Sequence, residues 1–187
     1  MGFYQGADVA LFREPSAAAD SALVRRLESH GPSTSLAISH IRHATRGDLK
    51  LANTQPFIRE LGGNMHVFAH NGDLPGIVHS AVLGASNYKP VGQTDSELAF
   101  CALLTRLRPL WRRHGPPSLT ARLAVLAAFA ADLRALGPAN FLYADGDALF
   151  VHSHQRIQRA SGLIGPPGLW LLRKQCPASE RAPAPLD

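Results

Sequence analysis

The chain has little cysteine: Cys101 and Cys176 are the only two in 187 residues. Two thiols cannot build a disulfide framework, so the fold must rest on a hydrophobic core, which a chain of this length can bury. No apolar run reaches membrane-spanning length, and Met1-Gly2-Phe3-Tyr4-Gln5-Gly6 lacks the pattern of a signal peptide. The expectation is a cytoplasmic, reducing location with no membrane contact. No glycine-rich phosphate loop follows any predicted strand, which argues against a nucleotide-binding fold. Zinc-ligand spacing and aromatic RNA-binding motifs are missing as well.

Lysine is confined to Lys50, Lys89 and Lys174, and the net charge of +5 comes from arginine. The densest groups are Arg106, Arg108, Arg112 and Arg113, placed on one helix, and Arg156 with Arg159. Scattered cations of this kind read as solvated faces, so no nucleic-acid partner is expected.

Phe3-Tyr4 and Val9 to Phe12 flank Gln5-Gly6-Ala7-Asp8 and predict a β-hairpin. A helix follows Asp20 and stops at Gly31, with Leu23, Val24 and Leu27 on one side. Ser35 to Ile41 reads as a strand, Asp48 to Gly63 as a polar loop, and Met65 to Ala69 as a buried strand ending at His70-Asn71-Gly72. Val78 to Gly92 is irregular and reads as a flexible lid. Thr94 and Glu97 predict a capping box for a helix that carries Phe100, Leu103, Leu104 and Leu107. A second helix spans about Thr120 to Leu136, with Gly137 as its stop. Asn140 to Ala144 and Ala148 to His152 flank Asp145-Gly146-Asp147, a strong hairpin signal. Leu169 to Leu172 reads as a last strand, and the tail 177–187 as disordered. Strands, then a helix pair, then strands predict an α/β (α+β) fold with layered, largely antiparallel sheets.

Three blocks carry the chemistry. Arg42 ends a strand, and its guanidinium fork matches a carboxylate; a surface ion pair is the plainer reading. Asn71-Gly72 can supply a side-chain amide and a backbone N–H to a developing oxyanion, or be an ordinary tight turn. Asp95 lies in the first turn of a capped helix, where the macrodipole keeps it ionised. With Thr94 and Glu97 doing the capping, its carboxylate is expected to be free for a ligand ammonium. His70 is expected to pack or hydrogen-bond locally, and Cys101 to lie in the core.

Taken in order, Ser39-His40-Ile41-Arg42-His43-Ala44-Thr45, Asn53-Thr54-Gln55-Pro56-Phe57, Phe68-Ala69-His70-Asn71-Gly72 and Pro90 to Cys101 with its Thr94-Asp95-Ser96-Glu97 resemble the class-II glutamine amidotransferases. Within these N-terminal-nucleophile glutaminase domains, the closer likeness is to the small stand-alone bacterial YafJ-like subfamily. Leu11-Phe12-Arg13-Glu14-Pro15 and Asn140-Phe141-Leu142 with Asp145-Gly146 also fit. The resemblance implies a four-layer α/β/β/α sandwich over residues 1–176. It implies that Arg42 and Asp95 hold the charged ends of glutamine, with Thr45 assisting. Asn71 and Gly72 would form the oxyanion hole. No metal or organic cofactor is implied. The ammonia released would pass to a partner protein, or the substrate would be another γ-glutamyl compound.

The family nucleophile is an N-terminal cysteine whose own α-amine acts as base, and the opening Met1-Gly2-Phe3 has none. The expectation is a domain cut short at both ends, lacking its first strand and its last sheet, whose reading frame continues upstream to a Met-Cys start. The alternative is a catalytically dead module that still binds glutamine or a γ-glutamyl compound.

Overall fold

The computed structural model describes residues 1–41, 48–84, 86–111 and 115–174. β1 (Gly2–Gln5) and β2 (Asp8–Leu11) form the expected antiparallel hairpin, turned at Gly6 with φ 64°. α1 (Ala22–His30) begins where the Ser21 hydroxyl accepts the Val24 N–H, and it ends at Gly31. The predicted strand from Ser35 is short: only β3 (Ala37–Ile38) pairs, completing a sheet of order β2-β1-β3.

The predicted loop 48–63 holds a strand. β4 (Phe57–Leu61) pairs antiparallel with β5 (Asn64–Gly72) across Gly62-Gly63, both at positive φ. That glycine pair is a hairpin signal, and it outweighs the polar Arg59 and Glu60 on the strand's more open positions. α2 (Asp95–Leu107) and α3 (Leu119–Leu136) match the predicted helices. β6 (Ala139–Ala144) and β7 (Leu149–His152) form the predicted hairpin and complete a second sheet, β4-β5-β6-β7. β8 (Arg156–Ile157) and β9 (Ile164–Gly165) make a small ribbon with no sequence signal beforehand. Residues 169–172 are not a strand; Leu171 and Leu172 are largely exposed and pair with no strand among the described residues.

Strand alternation separates two cores. Phe68, Phe141 and Tyr143 face α2 and α3, where Phe68 stacks on Phe100 with ring centroids 5.3 Å apart. Val67, Ala69 and Ala144 face the other way, onto Tyr4, Val9 and Ile38 of the first sheet. The layering is that of an α/β/β/α sandwich, in which α1 buries none of its residues. Arg122 of α3 reaches the β6–β7 turn and donates to Asp145 at 2.8 Å and to Asp147 at 2.6 Å. That buried fork fixes the helix pair on the second sheet.

Among the described residues, no helix is long and apolar enough to cross a membrane. Of the four arginines placed on one helix, Arg106 lies in α2 and Arg108 caps its end. Arg112 and Arg113 lie outside the described residues, as does the tail 177–187.

Candidate active site

β5 outruns β4. Pairing with β4 ends at Phe57↔Phe68, whereas pairing with β6 continues to Gly72↔Ala139. Residues 69–72 therefore have a strand on one edge only. On the other edge stands the side chain of Gln55, whose amide donates to the His70 carbonyl at 3.1 Å and accepts the His70 N–H at 2.6 Å. Beyond it opens a cleft of about 870 Å³ whose wall includes Gln55, Asn71, Gly72, Asp95, Gln155 and Arg156.

Asn71 and Gly72 are the last two residues of β5, in extended pairing and exposed to the cleft, so the pair is no tight turn. Alternation along β5 sends the Asn71 side chain to the same face as Val67 and Ala69. Its carbonyl accepts the Asn140 amide at 3.0 Å. Asn140 is only 1% exposed, and its other bonds reach the Gln155 carbonyl and the His154 N–H. One buried side chain thus ties the end of β5 to the loop after β7. Gly72 cannot carry a Cβ, which would run into the Pro138 carbonyl and the His70 ring.

Asp95 opens α2 and lines the same cleft. The expectation of a free carboxylate is corrected. One oxygen accepts the Leu74 N–H at 2.8 Å, and the other accepts the Ser96 N–H at 2.8 Å. The charge is held in place by backbone donors, and each oxygen keeps further lone-pair capacity. Beneath it, the Ser96 hydroxyl lies 2.9 Å from Nδ1 of His70. His70 is 2% exposed; burial lowers its pKa to about 4, with the Asp95 charge opposing. It is therefore a neutral packing and hydrogen-bonding group at neutral pH.

The capping box is half formed. The Thr94 hydroxyl accepts the Glu97 N–H, but the buried Glu97 carboxylate turns away to the N–H groups of Val91 and Gly92 and to Arg59. A guanidinium and two backbone donors outcompete a single N-cap amide. Asn53 adds a second clamp, accepting the Gln93 N–H at 2.9 Å and donating to the Asp48 carbonyl at 3.1 Å. The end of the expected lid is thus anchored at 91–93 rather than loose.

Arg42 and Thr45 lie outside the described residues. Their neighbour Ile41 lines the cleft. Cys101 is 1% exposed, and burial pushes its thiol up to about 11, the opposite of an activated nucleophile. Cys176 lies outside the described residues. Asn71, Gly72 and Asp95 are legible in the sequence as candidates, whereas Gln55 and Asn53, inside the predicted loop 48–63, and Ser96 and Asn140, at a predicted helix start and strand start, carry no role there; their place in the motif blocks is the one signal they give.

A family model for the class-II glutamine amidotransferases matches residues 1–181. Over 144 residues the chain is 38% identical to YafJ of Escherichia coli strain K12, which is named as a glutamine amidotransferase; the match covers 77% of this chain and 55% of YafJ. It is 32% identical over 152 residues to a Haemophilus influenzae protein of the same naming, covering 81% of this chain and 50% of that protein. A crystal structure of a predicted glutamine amidotransferase from Pseudomonas aeruginosa PA01 superposes with a TM-score of 0.60 at 36% identity, covering 82% of this chain and 59% of the other. The chain therefore spans about half the length of the curated relatives it matches.

Proposed function

The chain belongs to the class-II glutamine amidotransferases, and from that premise we propose that its cleft binds glutamine, or the γ-glutamyl end of a related compound, for amide hydrolysis. The observation that carries this reading is the meeting of Asp95 and the strand end Asn71-Gly72 on one cleft, although they lie on different elements. Asp95 takes the substrate α-ammonium, with its carboxylate already oriented by Leu74 and Ser96. Arg42 takes the α-carboxylate and Thr45 assists it. The Asn71 amide and the Gly72 N–H stabilise the oxyanion that forms when the γ-carbonyl is attacked; such donors are worth about 3 kcal/mol each.

In the complete reaction a cysteine thiolate adds to the γ-carbonyl, ammonia leaves, and water hydrolyses the resulting γ-glutamyl thioester. The ammonia goes to an acceptor, on a partner protein where one is present. Cys101 cannot supply the thiolate, being buried in α2 with a raised pKa. Residues 1–187 as they stand are proposed to bind glutamine without cleaving it, with 1–176 as the amidotransferase domain.

Isothermal titration with L-glutamine, beside an assay for released ammonia, tests this. Saturable binding without ammonia supports the reading. A flat titration at millimolar glutamine would overturn the binding assignment, and ammonia release would overturn the statement about the nucleophile.

A further inference from the structure

We propose that Gln55 is a positioning residue for the oxyanion hole: its side-chain amide stands in for the strand that β5 lacks at this end, and so aims the Gly72 N–H into the cleft. The proposal rests on the reading of the cleft given above.

The geometry follows from hydrogen-bond parity. In an antiparallel sheet, successive residues of a central strand direct their N–H groups to opposite neighbours. On β5 the odd-numbered direction is fixed just past the strand, where the Asp73 N–H reaches the Pro138 carbonyl on the β6 side at 3.1 Å. The even-numbered direction is fixed at His70, whose N–H reaches Gln55 on the opposite side. Gly72 is two residues further on, so its N–H takes the same side as that of His70. There β4 has ended, and Gln55 spends its acceptor and one donor on His70. The next donor along that edge faces the cleft.

Two features make Gln55 more than a filler. It is only 7% exposed and stands two residues before β4, so the amide is held against the strand edge rather than sampling solvent. It also bonds both polar groups of one residue, the arrangement of a neighbouring strand, which sets the peptide planes on either side of His70. A single hydrogen bond would leave the strand end free to twist. Asn140 holds the other edge through the Asn71 carbonyl. The two amides together leave the strand end no freedom to turn its donors away.

The test uses the 1–187 chain labelled with ¹⁵N. Amide hydrogen exchange is followed at Phe68, His70 and Gly72, and the Gly72 amide resonance is followed during L-glutamine titration. Gln55→Met keeps length and volume and removes both hydrogen bonds. Gln55→Glu keeps the acceptor and loses the donor. With Gln55→Met, His70 exchange should rise roughly tenfold, the loss of about one net hydrogen bond. Phe68, paired with Phe57, should stay protected and report an intact fold. The Gly72 resonance should move in the free protein and lose its response to glutamine, while the dissociation constant changes less than about threefold, because the charged ends of glutamine supply most of the ground-state affinity and an oxyanion donor contributes mainly in the transition state. Gln55→Glu should fall between, with His70 exchange closer to wild type than in Gln55→Met.

An unprotected His70 amide in the wild type, or a Gly72 resonance unmoved by Gln55→Met, would overturn the proposal. So would an unchanged Gly72 response to glutamine in that variant. If the wild type binds no glutamine, the function proposed for the cleft fails, and the exchange pattern alone still decides what Gln55 does.

Discussion

The Asp95 carboxylate accepts the Leu74 N–H at 2.8 Å, tying the first residue of α2 to the chain two residues beyond the end of β5. One residue that lines the cleft therefore also fixes where the strand end lies. Its charge gains from the helix N-terminus, from two backbone donors and from the Ser96 hydroxyl. A carboxylate so restrained is held at one position on the cleft wall.

Asp95→Asn should weaken glutamine binding by roughly 10- to 100-fold, the worth of a hydrogen bond to a charged group. Glutaramate, which is glutamine without its α-amine, provides the control. Its affinity should be low in the wild type and should fall no further in the variant. Calorimetry on both ligands decides the matter, and equal losses for both would mean that Asp95 acts only through Leu74.

Cys101 should be inert. No ammonia should be released from glutamine by the 1–187 chain, and Cys101→Ala should leave that result and the binding constant unchanged. In the folded protein its thiol should resist iodoacetamide and react once denaturant opens the core, because burial raises its pKa to about 11. Mass spectrometry of the peptide containing Cys101 reads this directly.

Gly72→Ala should cost stability as well as site geometry. The added methyl meets a backbone carbonyl, that of Pro138, which cannot rotate away. About 1–3 kcal/mol of destabilisation is expected from forcing the strand end apart. Urea unfolding measures it, and loss of His70 amide protection would locate the damage at the end of β5.

Arg122→Ala should be the most damaging of these changes to the fold. It strands Asp145, which is 0% exposed, without its cation, and frees α3 from the β6–β7 turn. Breaking a buried pair in this way costs about 3–5 kcal/mol. A fall in urea midpoint well beyond that of Arg106→Ala, whose partner Asp132 is about half exposed, would bear this out.

Stability should fall on acidification before the carboxylates titrate. His66 and His70 are buried, and desolvation lowers each pKa from 6.5 to about 4. Between those values the unfolded chain takes up protons that the native state refuses, so stability rises with pH and is lost as pH falls from about 6.5 toward about 4. Urea unfolding at about pH 7 and about pH 5 should differ by a few kcal/mol. His66→Gln should flatten the dependence by about half, whatever its effect on absolute stability.

What the sequence determined by itself was local. Gly6, Gly62-Gly63 and Asp145-Gly146-Asp147 are turn chemistry, although the second was overlooked beside its polar neighbours. Ser21, Thr94, Gly31 and Gly137 set helix ends through φ, ψ and the nearest N–H groups. Cys101 was legible as core because it falls in a helix with Phe100 and Leu104. The order of the blocks around Arg42, Asn71 and Asp95 was enough to show the family. The tertiary structure decided which polar groups meet. Gln55 reaches His70 across 15 residues and Asn140 reaches Asn71 across 69, and neither spacing has a period that a sequence displays. Glu97 left its expected N-cap amide because Arg59, on a strand that local polarity concealed, came within reach. Asp95 found Leu74 for a related reason: β5 extends past β4 and carries its end to the start of α2. Those partners follow from the register of one strand against its two neighbours, which is a property of the whole sheet and of no single segment.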